Sequence, residues 1–132
     1  MSEASYGYTR NLGGVDFEEA ESRTVAALKQ QGFGILTEID VKATLKAKID
    51  VDFRKYKILG ACNPPLANKA LSADPMVGLL LPCNVILFEE DDGTVTVSFV
   101  KPSEIFKVVD NPAVAEIAGE VETKILRAVE AV

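Results

Sequence analysis

The chain has no histidine, no tryptophan and only two cysteines among its 132 residues. Without an imidazole, one chain cannot assemble a Ser-His-Asp or Cys-His catalytic set, nor a histidine-ligated zinc or haem site. Positive charge is scarce as well. Fourteen Lys+Arg stand against twenty Asp+Glu, a net charge of −6. That balance argues against a partner neutralised through its phosphates and against an anionic membrane surface. No long apolar run is present: Met76–Leu81 and Val85–Phe88 are separated by Pro82 and Asn84, which leaves each too short to span a bilayer. Met1-Ser2-Glu3-Ala4-Ser5 lacks the basic and apolar segments of a secretory leader. The expectation is a cytoplasmic protein whose two thiols are reduced.

What is present is the composition of a folded domain, 48% apolar and 26% charged. With no linker, low-complexity stretch or repeat of whole elements, residues 1–132 read as a single domain. Ser5–Asn11 suits an opening strand, ended by Gly13-Gly14. Asp16 with Glu19 resembles a capping box, and Phe17, Ala20, Thr24, Ala27 and Leu28 follow at helical spacing as far as Gly32. Phe33–Ile39 alternates as a strand, and Asp40 caps a short helix through Val41, Leu45 and Ile49. Tyr56–Cys62 is a third strand, broken by Asn63-Pro64-Pro65, and Leu66–Ala73 a short helix stopped at Asp74-Pro75.

Val85–Glu89 and Thr94–Val100 flank Asp91-Asp92-Gly93, the strongest hairpin signal in the chain. Val95, Val97 and Phe99 alternate with Thr94, Thr96 and Ser98, so one face is buried and the other polar. Pro102-Ser103 opens a turn or short helix, and Asp110-Asn111-Pro112 starts a final helix with one apolar stripe from Val114 to Val132. Late consecutive strands exclude a pure βαβ fold and indicate an α+β domain, order β-α-β-(α)-β-(α)-β-β-α, with a sheet covered by helices on one side.

Chemistry concentrates in two segments, Cys62-Asn63-Pro64 and Pro82-Cys83-Asn84, both at strand boundaries. Antiparallel pairing of those strands would bring both thiols to one sheet edge. Their spacing is no CxxC motif. Close packing of two small apolar residues is the commoner role of free cysteine. The alternative is a thiol pair serving as a reversible disulfide, a soft-metal site or a sulfur-carrying nucleophile. Two thiolates do not complete a zinc site, so a metal would need carboxylates or a second subunit; no metal or cofactor is expected. Asn63 and Asn84 either close local turns, the commoner role, or present amides to a ligand. Glu89-Glu90-Asp91-Asp92 reads as a solvated hairpin tip, not a calcium loop. The basic run from Lys42 to Lys57 is interleaved with Asp50 and Asp52, as on a solvated face.

Tyr56-Lys57-Ile58-Leu59-Gly60-Ala61-Cys62-Asn63-Pro64, Gly78-Leu79-Leu80-Leu81-Pro82-Cys83-Asn84-Val85 and Val41 through Phe53 together resemble domain-of-unknown-function family 302. The resemblance covers nearly the whole chain. It implies a curved antiparallel sheet with helices on one face, of the TATA-binding-protein-like class, and no catalytic residue. Fold alone gives no reason to expect DNA binding. Because similar members occur as single or tandem domains, the resemblance also implies a homodimer. The resulting expectation is a binding or carrier module for a small molecule, with no recognisable catalytic set and the question of enzymatic activity left open, and with Cys62, Asn63, Cys83 and Asn84 edging its cleft. The rival expectations are a thiol-based redox or sulfur-transfer protein using Cys62 or Cys83, and a protein-interaction module.

Overall fold

The computed structural model describes residues 4–132; residues 1–3, on which part of the leader expectation rests, lie outside it. Strand β1 (Gly7–Asn11) leads to helix α1 (Phe17–Gln30), β2 (Gly34–Asp40), α2 (Val41–Ile49), β3 (Tyr56–Cys62) and α3 (Pro64–Ala73). A 3-10 segment (Pro75–Leu80) precedes the hairpin of β4 (Cys83–Glu89) and β5 (Val95–Val100). Short α4 (Pro102–Ile105), a further 3-10 turn (Phe106–Val108) and α5 (Pro112–Ala131) complete the chain. The strands form one antiparallel sheet in the order β1-β5-β4-β3-β2, the α+β architecture expected.

Strand alternation decides what each face carries. Leu59 lies opposite Val85, which lies opposite Phe99. These three, with Leu87 and Val97, are essentially unexposed beneath α1 and the second half of α5. The residues of α1 that the 3.6-residue period selects, Phe17, Ala20, Thr24, Ala27 and Leu28, are the ones it buries. Burying each large apolar side chain here contributes roughly 1.5–3 kcal/mol. Helix α5 serves two cores: Ile125 and Ala128 join the sheet core, whereas Val114 and Ala118 pack with Ala70, Val77 and Phe106 in a second one.

Capping follows the sequence closely, with one difference. The Asp16 carboxylate accepts from Glu18 N at 3.4 Å, but Glu19 does not reach back to the cap. It pairs instead with Arg23, one turn along at 3.2 Å. Asn111 caps α5 through Ala113 N at 3.0 Å. Helix α2 forms where expected, with the Asp40 carboxylate accepting from Ala43 N at 2.9 Å. The apolar residues of α2 are not buried, so that helix adds to neither core. The apolar stretch before Pro82, left without an element by its mixed pattern, forms the 3-10 turn capped by Asp74, whose carboxylate accepts from Met76 N at 3.0 Å.

Every charged residue of the strands projects to the helix-covered side or its margins. Arg10 stands opposite Val97, Glu38 opposite Leu59, Asp40 and Leu87 flank Lys57, and Glu89 lies opposite Val95. The other face has Tyr56, Ile58, Ile86 and Phe88 at its centre, with the Tyr56 and Phe88 rings stacked at 5.5 Å. Hydroxyls of Thr9 and Ser98, 2.8 Å apart, occupy its flank. The polar face expected of the hairpin is therefore uncharged within the strands and apolar at its middle.

Candidate functional site

The site grows from the point where β3 stops. Pro64 cannot donate to the ladder, and its ring suits the first turn of a helix. Asn63 begins that helix: its Oδ1 accepts from Leu66 N at 3.3 Å, while its Nδ2 donates to Gln31 O at 3.2 Å. One buried amide thus caps α3 and ties it to the end of α1. Gly32, at φ +83°, passes so close that a Cβ would lie 3.0 Å from Asn63 Nδ2. Both reasons favour glycine there.

Antiparallel pairing does bring the two Cys-Asn segments to the same end of the sheet. The register, however, sets Cys83 opposite Ala61 and Asn84 opposite Gly60. Both thiols are free, and the register does not set them directly opposite each other. Gly60 allows a tight crossing, because a Cβ there would collide with Thr37 Oγ1 and lie 2.7 Å from Pro82 Cγ.

Cys62, Asn63 and Cys83 contribute to the wall of one cavity of about 290 Å³. It lies between the ends of β3 and β4, α3, Phe106 and the first half of α5, and opens to solvent beside Leu36 and Leu71. Asn84 does not join them. It is exposed and borders a smaller recess of about 100 Å³ on the far side of Pro82 and Cys83. The cavity has a simple origin in residue size. Ala61, Ala67, Ala70 and Ala118 meet where larger side chains would fill the space between α3, α5 and the sheet. Those alanines were absent from the sequence-derived site. Their signal was small residues interrupting otherwise large apolar stripes on α3 and α5.

The electrostatics are those of an apolar interior. None of the residues lining the cavity is Asp, Glu, Lys or Arg. Burial pushes the Cys83 thiol up to about 11, with the proximity of Cys62 adding to it. Cys83 therefore stays protonated at neutral pH, the opposite of an activated thiolate. The charged stretches elsewhere are internally matched. Lys46 pairs with Asp50 and Asp52, Arg54 with Asp91, and Lys57 with Glu21 and Glu38. Hydrogen bonds from Lys57 to the accepting carboxylates of Glu38 and Glu21 outweigh burial and hold its ammonium well above the usual lysine range. At the hairpin tip Asp92 accepts from Thr94, which lowers its carboxyl, and Glu90 accepts from the Thr96 hydroxyl. Among the described residues no group of three or more acidic or thiol side chains is placed to hold a metal ion.

A single open antiparallel sheet with helices against one face, and an apolar cavity at the β3–α3 junction, defines an α+β domain with an internal site. The chain belongs to the DUF302 family, "Domain of unknown function DUF302", whose model matches residues 8–132. An uncharacterized protein of Aquifex aeolicus (strain VF5) is 25% identical over 100 residues, covering 76% of this chain. The chain spans 63% of that relative's length. The crystal structure of an uncharacterized conserved DUF302 protein from Bacillus stearothermophilus is 31% identical and superimposes with a TM-score of 0.87 over 97% of this chain and 98% of the other.

Proposed function

We propose that this domain binds a small apolar molecule in the cavity at the β3–α3 junction. The observation that carries this reading is the meeting of Cys62, Asn63 and Cys83 at one apolar, charge-free pocket of about 290 Å³ that opens to solvent beside Leu36 and Leu71. Small-molecule sites are ordinarily concave clefts lined mostly by apolar side chains, and this pocket at a helix–sheet junction has that character. In this reading Asn63 is a positioning residue that fixes α3 as a wall, and Cys83 is wall rather than nucleophile. Xenon-pressurised crystals test it: xenon should occupy the space bounded by Leu66, Cys83 and Ala118. Xenon found only at other places would remove the reading.

The uncharged sheet face favours a second element, self-pairing of the domain. Solvated antiparallel faces are ordinarily polar, and charged residues guard against unwanted association. Here Ile58, Ile86, Tyr56 and Phe88 stand in the middle of a face whose strands carry no charge. Two copies with a net charge of −6 each meet with least repulsion through such a surface. The same face holds no strand Lys or Arg to contact nucleic-acid phosphates. Sedimentation of the full chain at micromolar concentration checks this, with a dimer expected and a monomer contradicting it.

A further inference from the structure

We infer that the ligand is a compact, uncharged, hydrocarbon-rich molecule of about twelve non-hydrogen atoms, roughly twice the size of benzene; this deepens, and rests on, the binding reading above. Size sets the first bound. A cavity of about 150 Å³ lined by aliphatic and aromatic side chains accommodates benzene, and this one measures about 290 Å³.

Polarity sets the second bound. Both polar atoms of the Asn63 amide already have a protein partner, Oδ1 accepting from Leu66 N and Nδ2 donating to Gln31 O, so it offers a ligand little beyond one N–H. Cys83 contributes a neutral thiol, only 7% of the residue being exposed. A carboxylate or ammonium entering this space would lose its hydration and gain no oppositely charged partner. The rim offers no relief. Leu36 and Leu71, which also line the cavity, are 66% and 41% exposed, so its border with solvent includes hydrocarbon as well. A charged head group left at that border meets leucine rather than a cation. The walls thus select against carboxylic acids, amines, nucleotides and sugars, and in favour of neutral molecules dominated by carbon.

The test uses three probes of nearly equal shape: naphthalene, 2-naphthoate and 2-naphthylmethylammonium. Each is titrated into the full chain carrying methyl labels, and the Leu66, Val114 and Val121 methyl resonances are followed by NMR. Naphthalene is expected to shift these methyls saturably, and each ion to bind at least about tenfold more weakly. Ala118→Leu, which fills the space, should abolish the naphthalene shifts. Ala70→Leu serves the same purpose if the first variant does not fold. Equal affinity for naphthoate or the ammonium, lost in the filled variant, would overturn the ligand class and leave the binding reading standing. Absence of any saturable shift at the three methyls with all probes, or shifts that persist in the filled variant, would overturn both.

Discussion

Cys83 lies directly across the β3–β4 ladder from Ala61, not from Cys62. That one-residue offset separates a redox centre from a cavity wall. A directly cross-strand thiol pair would have been set up for oxidation, whereas here both sulfurs stand free at the wall of an apolar pocket.

Differential labelling follows from burial. Cys62 is partly exposed and Cys83 is buried. A maleimide applied to the folded chain should modify Cys62 first and reach Cys83 only on unfolding, as read by peptide mass mapping. Rapid modification of native Cys83 at neutral pH would favour the thiol chemistry over the wall role.

The Cys83 thiol also links stability to pH. Its folded pKa is raised to about 11 from an ordinary value near 9.0. Above the lower value the unfolded chain gives up this proton while the folded chain keeps it. The contribution is therefore fully present below about pH 9 and is lost as pH rises towards 11, by about 2–3 kcal/mol. Urea unfolding of the wild type and of Cys83→Ala across that range measures the difference. Parallel pH profiles for the two proteins would contradict the burial account.

Asn63 and Gly32 should be energetically coupled. Asn63→Ala removes a helix cap and the tie to Gln31 O, at a cost of about 1–2 kcal/mol. Gly32→Ala forces a side chain into a positive-φ position and against Asn63 Nδ2, costing about 1–2 kcal/mol. In the double variant the collision is gone, so the combined loss should be smaller than the sum of the two. Strict additivity in denaturant melts would show that the close approach carries no energy.

Charge placed on the open sheet face should dissociate paired domains without touching the cavity. Ile58→Lys and Ile86→Lys are each expected to shift sedimentation from dimer to monomer, with naphthalene binding retained. A wild-type dimer that survives both changes would place the interface elsewhere.

Much of this architecture was legible because local rules and tertiary packing agreed. The apolar period of α1, the alternation of β5 and the Asn-Pro and Asp-Gly turns each selected the element that forms. Asn63 was readable as turn chemistry for the same reason. Other features depended on partners remote in sequence. The strand register that parts Cys62 from Cys83 arises from cross-strand pairing, which neither segment encodes alone. The cavity exists only because alanines from β3, α3 and α5 converge, and an alanine on a helix stripe gives no sign of what faces it. Asn84, so like Asn63 in its local sequence, falls inside β4 opposite Gly60 and is directed away from the cavity.

The central claim is that the cavity is a ligand site, and native mass spectrometry of the chain isolated from its own cells tests it most directly. The account predicts a mass increment from a small neutral molecule on the wild-type protein, released on unfolding and absent from Ala118→Leu. A bare mass for both proteins, or an increment that survives in the filled variant, would contradict it.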